Sequence, residues 1–163
     1  MCIRDRTRVT TFYRFAGTSP GTDPNIYGFT VGSSAYQYED HATGTILRYT
    51  GVNRSNPVDV WAGAGGNNTS AIAPSVHPSF DNGRLVTVYG SYVPVSFSTP
   101  SGMTLRNSVH YHSGDTWPVD TWPATYVFDQ ACDLASSSGT RTSALTPFGS
   151  HYAQWTALSL VLH

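Results

Sequence analysis

An all-β, two-sheet antiparallel sandwich is the fold class this sequence predicts, and three observations predict it. Apolar residues alternate with period two in short runs from end to end. Turn chemistry (Asn-Pro, Asp-Asn-Gly, Ser/Gly-rich stretches) breaks those runs at short intervals, most visibly between Arg48 and Tyr89. No stretch of ten or more residues keeps a clean 3.6-residue period. About nine or ten short strands without helices argue for two packed sheets whose facing side chains form the core.

The elements follow in order. Val9, Thr11, Tyr13 and Phe15 alternate with Thr10, Phe12 and Arg14 in a first strand, stopped by the turn-rich GTSPGTDPN. Tyr27, Phe29 and Val31 suggest a second. Thr45 to Tyr49 is short and mostly apolar, as a strand buried on both faces would be. After the polar GAGGNNTS loop come Ala71, Ala73 and Val76, with Pro74 placing that strand near an edge. Asp81-Asn82-Gly83 is a strong turn signal that introduces Leu85 to Tyr89. Met103, Leu105 and Val109 make the next strand. Thr125 to Phe128 and Arg141 to Leu145 are separated by a serine-rich loop, and DQACDLASSS after Phe128 is compatible with one helical turn. Tyr152 to Leu162 closes the chain, with Leu158, Leu160 and Leu162 making one of its faces much more apolar than the other.

Length and composition limit the function. At 163 residues the chain suits one domain with a real core. Charged residues are 12% and the formal net charge is −1, so there is no electrostatic footprint for nucleic acid. No apolar run approaches the ~18–20 residues of a membrane-spanning helix. The basic residues are all Arg, and Ser, Thr, Gly, Asn and Tyr are abundant, a balance common in extracellular β-proteins.

Residues 1–6, MCIRDR, resemble the translation of a sequencing-adaptor end. They are expected to be an assembly scar, leaving 7–163 as a single sandwich domain whose parent polypeptide extends further at the N-terminus. Cys2 would then be foreign, and Cys132 alone offers no intrachain disulfide.

Seven phrases in order, FYRFAG, ILRYTGVNRSNPVDVWAG, TSAIAPSV, DNGRLVTVYG, TPSGMTLR, SSSGTRTSALT and YAQWTALSLVL, together resemble one module. It occurs in secreted bacterial proteins and in phage tail or other virion proteins, and the resemblance covers essentially all of Thr7 to His163. It implies a jelly-roll-like sandwich, here lacking its first strands, with a non-catalytic role at a cell or virion surface. The family brings no catalytic motif and no assigned ligand.

Some residues invite chemistry of their own. Two Trp-Pro pairs, Trp117-Pro118 and Trp122-Pro123, lie in a stiff, extended stretch. Their indoles can offer a flat apolar face to a sugar ring or a protein, with Tyr111 and Asp120 completing a platform. The alternative is that the indoles fold back over the open end of the sandwich. Trp117→Ala and Trp122→Ala separate the two readings, since a binding platform loses affinity and a cover loses stability. Trp61 and Trp155 read as core or core-edge residues.

His110 and His112, at i and i+2 on a strand, project from one face and with Asp115 resemble half of a metal site. Two surface histidines flanking a buried Tyr111 explain them more simply, and that reading is preferred. Calcium has scattered candidates in Asp23 with Asn25, Asp81 with Asn82, and Asp129 with Asp133, fewer carboxylates than Ca²⁺ usually takes. No G-x-S-x-G elbow appears, and Glu39-Asp40, at i and i+1, would face opposite sides of a strand. Cys132 beside Asp133 has no nearby cation in sequence and reads as a small buried group.

These residues point to a non-catalytic binding, adhesion or structural module of an extracellular or virion protein, partnered by a surface glycan or a protein and needing no cofactor. The rivals are a carbohydrate-binding domain appended to a secreted polymer-degrading hydrolase, a purely architectural repeat, and a metal-dependent hydrolase built on His110 and His112.

Overall fold

The computed structural model describes residues 7–17, 26–29, 42–110, 123–133, 137–147 and 154–163. Among these residues there are eight strands and no helix, hence no helix long and apolar enough to cross a membrane. The strands are β1 (Val58–Gly66), β2 (Ser70–Ala73), β3 (Gly83–Ser91), β4 (Val95–Phe97), β5 (Thr104–His110), β6 (Ala124–Cys132), β7 (Arg141–Pro147) and β8 (Trp155–Leu162). They form a five-stranded sheet of order β1-β8-β3-β6-β5 and a three-stranded sheet of order β2-β7-β4, antiparallel throughout. The predicted two-sheet antiparallel sandwich is the fold observed.

Period two decides what fills the space between the sheets. Leu85 and Tyr89 of β3, Tyr126 and Phe128 of β6, and Trp155, Ala157 and Val161 of β8 meet Ala71, Ala73, Val95, Phe97 and Leu145 of the small sheet. Four rings interlock there, with centroids 5.6 Å apart for Tyr89–Phe97, 5.7 Å for Tyr89–Phe128 and 5.3 Å for Phe97–Tyr126. Tilted and edge-on contacts of this kind add to the roughly 1.5–3 kcal/mol that burying each large side chain contributes. The Tyr89 hydroxyl donates across the core to the Arg141 carbonyl at 2.7 Å, so its burial leaves no polar atom stranded. β2 lies at an edge of the small sheet, where Pro74 placed it.

A second apolar layer covers the opposite face of the large sheet, hereafter the outer face. Val86, Val127 and Leu160 are buried there with Leu158, Leu162, Leu47 and Tyr49 packed around them. The more apolar face of the last strand therefore points away from the small sheet, and β8 is covered on both sides. Part of the cover is the segment 42–50, extended but outside the strand ladders. Thr43, Thr45, Leu47 and Tyr49 turn toward the sheet while Ile46 and Arg48 face solvent, so the expected burial of this segment on both faces is not found. Side chains hold it. Thr43 and Thr125 hydroxyls are 2.6 Å apart, Asn107 Nδ2 donates to Thr45 Oγ1 at 3.4 Å, and the Tyr49 hydroxyl donates to Asp129 at 3.1 Å.

Other expectations are corrected as well. Residues 7–17 and 26–29 are not in a strand. In the first, Thr7 and Val9 lie over the outer face, where Thr156 Oγ1 donates to the Thr7 carbonyl and Val9 packs over Gly90. Val31 lies outside the described residues. Asp129–Cys132 continue β6 and form no helical turn, because each has a ladder partner in β3. β1 and β4 were not anticipated.

Trp61 is the correction that matters most for function. It is 68% exposed, whereas Trp155 is buried as expected. On β1 the side chains packed against the core are Val60, Ala62 and Ala64. β1 lies against β2 at this edge, and small residues from both sheets, including the fully buried Ala71 and Ala73, fill the gap. An indole has no room there. Trp155 takes up what space remains: a Cβ at Gly66 would sit 2.6 Å from its Cζ2 atom.

Candidate functional site

Register places the outward side chains of the large sheet on successive rungs. Val58, Leu162, Arg84 and Ala131 share the first, and Trp61, Leu160, Val86, Asp129 and Thr104 the second. Period two forces these sets to one face once β8 is fixed by its inward Ala157 and Val161.

Asp129 is the centre of a buried polar cluster on the second rung. The residue is 1% exposed, and its carboxylate accepts from Arg106 Nε at 2.8 Å, Arg84 at 3.3 Å and the Tyr49 hydroxyl at 3.1 Å. A bulge between Leu105 and Asn107 makes Arg106 the extra residue of β5 and lets it reach Asp129, the usual effect of a bulge on a side chain's aim. Both arginines remain about two-fifths exposed, at 41% and 44%. Burial, and next the Asp129 charge, push the Tyr49 hydroxyl well above its ordinary value, so it stays a neutral donor. A carboxylate enclosed by two guanidinium groups cannot serve calcium, which removes the Asp129–Asp133 pair from the calcium candidates. Asp81 and Asn82 form the turn before β3, with Asn82 at φ 59°.

Beside this cluster, on the first rung, is a hollow of about 260 Å³. Its wall carries Tyr49, Thr50, Asn82, Arg84, Asp133 and His163. Each is placed by a local device. Gly51, at φ 80°, bends the chain away after Thr50, a conformation that a side chain would strain. The Asn82 amide N–H donates to Asp133 Oδ1 at 3.4 Å. In the Asn-Pro turn, Asn53 Oδ1 accepts from the Ser55 and Asn56 amides at 2.9 and 3.3 Å. That turn in turn grips His163, whose carbonyl accepts from the Asn53 amide and whose N–H donates to the Pro57 carbonyl at 3.2 Å. The Phe80 ring stacks on the imidazole with centroids 4.0 Å apart and planes 9° apart.

Trp61 stands at the edge of the same face. Its rung partner is Leu160, and Leu162, which lines the hollow, is its diagonal neighbour two residues on. Such diagonals are about 7–8 Å apart, within reach of an indole. A second hollow, of about 290 Å³ near Thr7, Gly65 and Trp155, has no charged residue among the described residues that line it.

No protein family model, curated protein or solved structure matches this chain.

Of the residues singled out in the sequence, Tyr111, His112, Trp117, Asp120 and Trp122 lie outside the described residues, as do Asp115, Asp23 and Asn25. The backbone of His110 ends β5. Among the described residues, no group of three or more His, Cys, Asp or Glu is close enough to hold a metal ion. Cys132 is buried, and burial pushes its thiol up, away from the reactive thiolate. The sequence singles out none of Arg84, Arg106 and His163, and it places Trp61 at the core or its edge. A signal was present for Trp61 alone: WAGAG alternates one large residue with alanines, and two faces so unequal in size cannot both fit a narrow gap.

Proposed function

We propose that this chain is a non-catalytic binding or adhesion module of an extracellular or virion protein, acting through the outer face of its large sheet. One observation carries the proposal: an exposed tryptophan on a rigid edge strand stands diagonally beside a hollow lined by mixed donors and acceptors. Solvating an indole is unfavourable, and a side chain kept outward at that cost suits contact with something else. The jelly-roll-like reading draws support from the nested pairing of β1 with β8, β2 with β7 and β3 with β6, although β5 stays with β6 in the large sheet. The resemblance to secreted bacterial and phage tail modules, and the hydroxyl-rich composition, supply the setting.

The exposed indole equally favours a second reading of the same surface, a carbohydrate-binding domain accompanying a polymer-degrading hydrolase. Both are tested by adsorption of the purified chain to insoluble polysaccharides and to bacterial cells. Trp61→Ala should lose most adsorption while melting within about 2 °C of the parent, because an exposed substitution changes stability by roughly 0.5 kcal/mol or less. Undiminished adsorption by Trp61→Ala would remove this face from the function.

A further inference from the structure

We infer that the hollow at the first rung of the outer face binds a neutral sugar residue; this rests on the reading of the chain as a binding module and names the ligand of that face. The argument is one of charge and hydrogen-bonding capacity. Arg84 brings a guanidinium with one N–H directed to Asp129 and a side chain 41% exposed beside the hollow. Asp133 lines the same wall, its Oδ1 accepting from the Asn82 backbone N–H, and Asn82, Thr50 and His163, each with donors and acceptors of its own, complete it. Asp129 and Asp133 set two negative charges against the two positive charges of Arg84 and Arg106, so the surroundings of the hollow favour neither a simple anion nor a simple cation. A neutral polyol suits them, since every hydroxyl donates one hydrogen bond and accepts others.

Size and rigidity agree with this choice. The hollow falls just below the roughly 300–1,000 Å³ of sites for drug-sized ligands, which suits a single small ring. The imidazole is held by Phe80 and the Asn53–Pro57 turn, and Arg84 by Asp129, so little ordering remains to be done on binding. Trp61, diagonal to Leu162, lies where a second ring of an oligosaccharide would extend and offers it a flat apolar face.

The test is saturation-transfer NMR and calorimetry on the whole chain with free methyl glycosides of glucose, galactose, mannose and N-acetylglucosamine, and glucuronate as the charged comparator. Two variants leave the scaffold intact. Asp133→Asn keeps an oxygen for the Asn82 amide. Asn82→Gly keeps the left-handed turn while deleting the side-chain amide. At least one neutral glycoside should bind and weaken tenfold or more in each variant. Binding of glucuronate alone, strengthened by Asp133→Asn, would overturn the inference in favour of an anion site. Binding of no glycoside would overturn it outright, as would affinity indifferent to both variants. Adsorption to polymer or cells that still depends on Trp61 would, in either case, leave the module's binding role standing and remove only this ligand.

Discussion

Asp129→Asn changes a single atom of a side chain that the outer face encloses almost completely, and its cost follows from what surrounds it. The carboxylate accepts three hydrogen bonds, two from guanidinium groups and one from Tyr49. Breaking a buried ion pair by removing one partner costs about 3–5 kcal/mol. Two features bring this case to the low end. Arg84 and Arg106 are 41% and 44% exposed, so water recovers much of their lost stabilisation, and the asparagine oxygen, set at the Oδ1 position, still accepts from both. Against that, the charge that both guanidinium groups face is gone, and with the new amide N–H₂ in place of Oδ2 the Tyr49 hydroxyl must give up its donated bond or turn round to accept. The balance is a loss of about 3 kcal/mol. At about 2–4 °C per kcal/mol for a chain of this length, the midpoint of thermal unfolding should fall by about 6–12 °C. Tyr49→Phe removes one neutral donor and should lower it by about 2–4 °C, for roughly 1 kcal/mol. Differential scanning calorimetry of both single variants and the double variant checks the pair. The double variant should lose less than the sum, by at least about 0.5 kcal/mol, since both changes remove one contact. An Asp129→Asn midpoint within about 2 °C of the parent would refute the buried cluster, and strict additivity would refute the Tyr49 contact.

Two further outcomes are expected. Burial raises the hydroxyl of Tyr89 from 10.0 to about 12, and burial together with the Asp129 charge raises that of Tyr49 further. Both groups thus hold their protons longer when folded, and their contribution is complete below about pH 10 and lost as pH rises through the folded values. Urea titrations at increasing pH should show stability falling from about pH 10 upward, with a shallower fall in Tyr49→Phe. Gly66→Ala would place a Cβ 2.6 Å from the indole of Trp155, which is held by an Asn68 hydrogen bond at 3.1 Å, and displacing that ring should cost about 1–3 kcal/mol in urea unfolding.

Most of the strands read from alternation and turn chemistry are found. Leu85 to Tyr89, Thr125 to Phe128 and Arg141 to Leu145 fall within β3, β6 and β7, Ala71 and Ala73 lie in β2, and the predicted last strand, Tyr152 to Leu162, contains β8. β1 was hidden because Gly63, Gly65 and Gly66 read as a loop, although a glycine opposite a bulky Trp155 is what close packing requires. The opposite error arose at Thr45–Tyr49, where one side is covered and backbone pairing is absent, and at Val9–Phe15, where Phe12 and Tyr13 are both exposed and no strand forms. Alternation reports only that one side of an extended chain is covered, and a segment lying across a sheet alternates as well as a strand within it. The proposed site was less legible than the fold, since Tyr49, Asn82, Arg84, Asp133 and His163 come from four separate stretches of chain.

Composition and period-two patterning by themselves determined an all-β sandwich of short antiparallel strands, because alternation and turn chemistry are local properties that need no knowledge of partners. The tertiary structure alone decided which face of each strand meets which. It sent the leucines of β8 outward under a covering segment, turned Trp61 to solvent because small side chains (Val60, Ala62, Ala64, Ala71 and Ala73) fill the gap between β1 and β2, and enclosed Asp129 between two arginines. Those outcomes depend on the width of a gap and on the register of strands far apart in the chain, and no local pattern encodes either.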